Sequence, residues 1–394
     1  MSNDKSSNTA FFSPPSEGLG EARGFYIIDS TLRDGEQAPG VVFTLEEKLR
    51  IAALLDGCGV REVEVGTPGM GEEEVQTIRE IVQSGFRFDK LCWARAKESD
   101  IMASAQTGAN RINISFSVSD IQLSAMGRNR EWVMKQIAPM ISLARSEFDF
   151  VAIGAQDASR ADREFLNEFI GACLAEGADR IRLADTVGIL NPMTTAELFS
   201  SVVSLFPFVD FEFHGHNDLG MATANSLVAL MSGAGSVSAT INGLGERAGN
   251  AFLEELVAAL KVSSGVNSGI HLPELQRLCQ YVSEVSYRQT PVSKPITGAN
   301  VCRHESGIHC RSLLKNELSY QPFLAEEIGR QTEIVIGKHS GKATIADFFR
   351  KRKIELSEAE SQLLTAKVKH LSMRKKRDLS EIELISLAES VKTK

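Results

Sequence analysis

A chain of 394 residues with 43% hydrophobic and 24% charged residues has the composition of a folded globular protein, long enough for one large domain and a smaller one. The formal net charge of -8, with no long basic stretch before the C-terminal part, argues against a nucleic-acid partner. There is no apolar run long enough to cross a membrane and no basic-then-apolar signal peptide at the start, and six cysteines without CxxC spacing point to a reduced, cytoplasmic protein.

Residues 1–20 are polar, with Pro14 and Pro15 adjacent, and read as a flexible tail. Then a rhythm begins. FYIID (25–29) is a strand candidate, and LEEKLRIAALLDGCG (45–59) has helical apolar spacing that stops at Gly59. REVEVG (61–66) alternates as a second strand, a helix follows, and KLCWA (90–94) is the third strand. RINISF (111–116), FVAIG (150–154), IRLAD (181–185), VDFEFHGH (209–216) and SVSATING (236–243) continue the series, each leading into an amphipathic stretch. Strands alternating with helices imply a parallel sheet, and eight repeats give the count of a (β/α)8 TIM barrel rather than the alternative doubly wound sheet. The barrel is read over 21–275. Residues 276–345, rich in Gly, His, Ser and Pro, read as a linker or lid subdomain, and 346–394 as C-terminal helices, with Ser357 and Glu360 forming an N-cap pattern.

The chemistry-bearing residues cluster after the strands, where barrel active sites lie. His214 and His216 are two apart on one strand and so face one side. Paired structural histidines would fit this spacing as well. Arg33, Asp34 and Gln37 follow the first strand, which barrel closure brings near the seventh and eighth. Asp34, His214 and His216 then form a two-histidine, one-carboxylate set suited to a divalent ion with open positions. Asn250, in the glycine-rich NGLGERAGN, is a further candidate at the same ion. Arg95, Gln156 and Thr186 end other strands at the same mouth, and Glu64 within strand 2 requires a cation, for which Arg33 is the candidate.

Four separated strings, STLRDGEQAPGVVFTLEEK, FHGHNDLGMATAN, NGLGERAGN and HESGIHCRSLLKN, resemble the isopropylmalate, homocitrate and citramalate synthases, over about residues 25–345. Within that family VEVGTPGMGEEE, LADTVGILNP and IVIGKHSGKA look most like homocitrate synthases of the nitrogen-fixation type. The resemblance implies a divalent metal ion (Mg2+, Mn2+, Zn2+ or Co2+) on Asp34, His214 and His216, with Asn250 beside it, and acetyl-CoA as cosubstrate. It gives Arg33 the 2-oxo acid and the developing alkoxide, Thr186 the substrate's C1 carboxylate, and Glu64 a place at the catalytic mouth. His309 and Tyr320 resemble the catalytic elements that reach over the barrel of a partner subunit, so a homodimer with shared active sites is implied.

The implied reaction joins acetyl-CoA to 2-oxoglutarate and then hydrolyses the thioester, giving homocitrate and CoA, with His309 as base. Arg95, helped by Asn113, Ser115 and Ser117, is expected to meet the distal carboxylate. Two positions depart from the family. GAQDASR carries Gln156 where the pattern GxEDxxR has a glutamate, and Ala152 stands where lysine-pathway homocitrate synthases carry an arginine. Pyruvate, 2-oxoisovalerate or a phosphorus-bearing 2-oxo acid remain alternative acceptors, and a retro-aldol lyase an alternative reaction.

Overall fold

The computed structural model describes residues 24–392, so the tail read over 1–20 lies outside the described residues. Eight parallel strands close into a barrel in chain order: β1 (Tyr26–Asp29), β2 (Glu62–Gly66), β3 (Asp89–Arg95), β4 (Arg111–Ser117), β5 (Phe150–Gln156), β6 (Arg180–Asp185), β7 (Asp210–Gly215) and β8 (Ser236–Ala239). Closure sets Tyr26 opposite Ser236 and Asp29 opposite Ala239, which removes both sheet edges. The outer layer is α1 (Leu45–Cys58), α2 (Glu72–Gln83), α3 (Glu98–Ala105), α4 (Asp120–Ala125), α5 (Arg130–Glu147), α6 (Arg163–Ala175), α7 (Pro192–Leu205), α8 (Ala222–Met231) and α9 (Leu253–Ser263), with α10 (Leu272–Val285) packed on α1. Local sequence sets the helix ends. Thr44 and Glu47 form a capping box at the start of α1, and Gly59 ends it with φ 85°, a conformation glycine adopts without strain.

The barrel interior is charged. Along β2, β6 and β7, Glu62, Glu64, Arg180, Arg182 and Glu212 alternate with Val63, Val65, Ile181, Leu183, Phe211 and Phe213, and all are buried. Successive strand residues face opposite sides, so the apolar set packs under the helices and the charged set fills the barrel. Arg180, 0% exposed, places Nη1 2.7 Å from Glu62 and 3.3 Å from Glu212, and Nε 3.2 Å from Asp210. One layer higher, Arg182 Nη1 donates to Glu64 at 2.7 Å and Nε lies 2.7 Å from Glu212. Branched apolar side chains usually fill such barrels. Here ions do, and buried ions are tolerated only while every partner is present.

A second compact unit follows Gln289. The 275/276 boundary read from the sequence falls inside α10, a helix of the first unit. In the second unit β9 (Arg303–His304) pairs in parallel with β10 (Glu333–Ile334), accompanied by α11 (Gly307–Leu313), α12 (Lys342–Lys351), α13 (Glu358–Lys375) and α14 (Glu381–Glu389). Ile336, from the stretch read as linker, shares one apolar core with Phe349, Leu364, Val368 and Leu384 of the C-terminal helices. The stretches read as two regions are therefore one folded unit. Scattered apolar anchors among Gly, Ser and Pro carry no periodicity, which is why the sequence hid it. Ser357 and Glu360 form the expected capping box at α13.

Candidate functional site

At the carboxyl ends of the strands a cavity of about 190 Å³ is lined by Arg33, Asp34, Gln37, Trp93, Asn113, Ser115, Gly154, Gln156, Arg182, Ala184, Thr186, His214, His216, Glu246 and Arg247. Asp34 follows β1, and β7 delivers both histidines. One potential ligand atom each from Asp34, His214 and His216 lie within 4.8 Å of one another, and all three residues are buried. His214 Nε2 is 3.0 Å and His216 Nε2 3.3 Å from Asp34 Oδ2. His216 Nδ1 lies 2.7 Å from the Thr186 carbonyl, which can only accept, so Nδ1 carries a proton and Nε2 is the ring atom turned toward Asp34. Burial alone would raise the Asp34 carboxyl. The Arg33 guanidinium and the two histidines outweigh it and hold the group well below the usual range, ionised and ready to ligate.

The donor set suits a divalent cation. Asn250 adds to the fit: it is 1% exposed, pairs by backbone with His216, and donates Nδ2 to the Leu244 carbonyl at 2.9 Å. Its Oδ1 is buried without a hydrogen-bond partner among the described residues. Asn250 is not among the residues lining the cavity, so it stands behind the cluster.

Arg33 is held from below. Its Nε and Nη2 donate to Glu64 Oε2 at 2.8 and 2.6 Å, Nη1 is 3.3 Å from Asp34, and the guanidinium lies 5.7 Å from the centre of the Trp93 ring. Glu64 therefore has the cation expected for it. It also pairs with Arg182, is 0% exposed and does not line the cavity. The sequence placed Glu64 among the catalytic groups; its position makes it a support for Arg33. Burial would raise its pKa, but Arg182 and Arg33, with the Ser30 hydroxyl, bring it down to about 2.

Thr186 Oγ1 accepts the Asp157 backbone N–H at 2.8 Å, which leaves the hydroxyl proton to donate into the cavity. Asp157 turns through a left-handed conformation, φ 62°, to make that bond. Arg247 also serves Thr186, donating Nη2 to its carbonyl at 2.7 Å and Nε to Asp218 at 2.8 Å. Gln156 accepts a long bond from Ser115 at 3.4 Å, and Gln37 stands exposed at the rim.

Arg95 is engaged by a neighbouring carboxylate. Its Nε donates to Asp100 at 2.6 Å, its side chain is 59% exposed, and it does not line the cavity. Arg95 lies two residues after the cavity-lining Trp93 on β3 and so shares its face, but the Asp100 carboxylate of α3 takes the guanidinium. His309 and Tyr320 belong to the second unit, where their rings stack at 4.0 Å and both residues are exposed. Sequence reading missed Arg182. The alternation of RIRLAD was the available signal: two arginines on the face opposite Ile181 and Leu183.

A sequence model described as HMGL-like matches residues 24–282. The chain belongs to the HMGL-like family. A model described as Homocitrate synthase post-HMGL domain-like matches residues 296–376 of this HMGL-like chain. Homocitrate synthase 1 of a Nostoc species is 45% identical over 362 residues, covering 92% of this chain and 96% of the relative. 2-Isopropylmalate synthase 2 of Caldanaerobacter subterraneus subsp. tengcongensis is 42% identical, covering 93% and 95%. The HMGL-like chain thus falls in the isopropylmalate, homocitrate and citramalate synthase group of acyl-CoA condensing enzymes, which act on 2-oxo acids. The HMG-CoA lyase structure from Brucella melitensis superposes with a TM-score of 0.60 at 18% identity, covering 68% of this chain and 100% of the lyase, a likeness of fold. No helix of the described residues is long and apolar enough to cross a membrane.

Proposed function

We propose that this protein is a homocitrate synthase, condensing acetyl-CoA with 2-oxoglutarate and hydrolysing the thioester to release homocitrate and CoA. The observation that carries the reading is the meeting of Asp34, His214, His216 and Arg33 at one strand-end cavity in a chain of the synthase group. The Nostoc relative's name supports the acceptor. So does the cavity wall along β4 and β5, where Asn113, Ser115 and Gln156 present polar atoms that suit an acid better than a branched alkyl group. The Caldanaerobacter relative's name favours a second acceptor, 2-oxoisovalerate.

Asp34, His214 and His216, with Asn250 beside them, would hold a divalent ion, which when bound would supply Lewis acidity to the acceptor's keto group. Arg33, held rigid by Glu64, binds the acceptor and stabilises the alkoxide that forms as the new carbon–carbon bond closes. The Thr186 hydroxyl donates to the C1 carboxylate. A base removes a methyl proton from acetyl-CoA, and we assign that role to His309, with Tyr320 stacked on it, supplied by the second subunit of a homodimer. Water then cleaves the thioester.

The test is thiol release with acetyl-CoA and a panel of 2-oxo acids, with products identified by mass. The highest kcat/KM is expected for 2-oxoglutarate. A higher value for pyruvate, 2-oxoisovalerate or a phosphorus-bearing acid overturns the acceptor assignment, and cleavage of HMG-CoA without any condensation overturns the reaction.

A further inference from the structure

With Arg95 paired elsewhere and Ala152 fully buried in β5, the two positions from which a cation was sought for the acceptor's distal end supply none. The cavity holds another. Arg182 is 3% exposed and lines the cavity; Nη1 donates to Glu64 and Nε is ion-paired with Glu212 at 2.7 Å outside hydrogen-bond geometry, while Nη2 is buried without a hydrogen-bond partner among the described residues. Its two carboxylates are shared, Glu64 with Arg33 and Glu212 with Arg180, so the guanidinium is not neutralised twice over.

The strand register places a gap beside that free donor. Ser115 on β4 is opposite Gly154 on β5, and Gly154 is opposite Arg182 on β6. Gly154 is not in the left-handed region, so its backbone does not require glycine. Space does. A Cβ there would lie 3.3 Å from Asn113 Nδ2 and 3.4 Å from Oδ1, closer than such atoms ordinarily approach. Asn113 therefore floors the cleft left by the missing side chain. It is 0% exposed, and both atoms of its carboxamide lack hydrogen-bond partners among the described residues. A buried donor and a buried carboxamide, each unsatisfied, are costly unless a ligand completes them.

We propose that Arg182 and Asn113, in the cleft that Gly154 leaves open, bind the distal acid group of the acceptor and set the preference for a dicarboxylic 2-oxo acid. The inference rests on the reading of this cavity as the 2-oxo acid site. Carboxamide and guanidinium both donate, and a carboxylate offers two oxygens to receive them, whereas a methyl group in the same place leaves both unpaired.

The discriminating pair of ligands is 2-oxoglutarate and 2-oxovalerate, which differ at the distal end in a carboxylate against a methyl group. Arg182→Gln is the direct substitution, but it strips a partner from two buried glutamates. Asn113→Leu and Gly154→Ala leave the ion network in place. Binding is measured by calorimetry on the full chain with Mn2+ present. The wild type is expected to bind 2-oxoglutarate at least about tenfold more tightly than 2-oxovalerate, the effect of one hydrogen bond to a charged group. Both variants are expected to lose most of that ratio through weaker 2-oxoglutarate binding. No preference in the wild type, or equal losses for both ligands in the variants, overturns the proposal. Failure to release CoA with any 2-oxo acid would instead sink the condensation reading, while the binding ratio would still decide the subsite.

Discussion

Glu64→Gln removes one charge from a closed set. The carboxylate takes Arg33 through Nε and Nη2 on one oxygen and Arg182 on the other at 2.7 Å, and it is 0% exposed. Its carboxyl titrates at about 2 in the folded protein against 4.5 ordinarily. A depressed carboxyl pKa stabilises the fold above the unfolded value, and this stability is lost as pH falls through the folded one. Linkage makes it about 3 kcal/mol at pH 7, smaller by about 1 kcal/mol at pH 4 and by about 2 kcal/mol at pH 3. That agrees with the lower end of the roughly 3–5 kcal/mol lost when one partner of a buried ion pair is removed. The two tryptophans, Trp93 and Trp132, both lie in the barrel unit, so their fluorescence in urea reports its unfolding. The variant is expected to be about 3 kcal/mol less stable at pH 7, with the gap to wild type narrowing towards pH 3. Its KM for the 2-oxo acid should rise, because Arg33 loses its anchor. A gap below about 1 kcal/mol, or one that does not change with pH, refutes the claim that the ion pairs of Glu64 hold this layer together.

Arg180→Met strips a partner from Glu62, Glu212 and Asp210 together, and a loss of roughly 3–5 kcal/mol is expected in the same urea assay. Mn2+ at one hundred times its Kd should stabilise the wild type by about 2.7 kcal/mol and an Asp34→Asn variant much less, read as a Tm shift. Chelation should abolish CoA release and added divalent ion restore it. Mixing Arg33→Ala with His309→Ala protein should recover activity in mixed dimers; verified subunit exchange without recovery counts against a shared site. All six cysteines are buried and none is in a disulfide, and burial pushes Cys58 and Cys92 up to about 12, so a thiol reagent should label the native protein slowly and the urea-unfolded protein fully.

The eightfold alternation of strand and helix, the stop at Gly59, the cap at Ser357 and the spacing of His214 and His216 were all legible in the sequence, because each depends on residues near one another in the chain. The barrel followed from the count, and with it the approach of Asp34 to β7, since closure leaves β1 nowhere else to lie. Pairing across the barrel was decided only by tertiary structure. For Arg95 the sequence left open a substrate carboxylate or a local pair with Asp100 or Glu98, and the structure forms the pair with Asp100. Glu64 looked like a lone charge needing one cation, yet register stacks it with Arg182, 118 residues away, in a charged interior layer that no local pattern specifies. The cleft at Gly154 arises the same way. A glycine in a strand signals close approach, but what approaches depends on which side chains the neighbouring strands bring to that level, and that is fixed by inter-strand register.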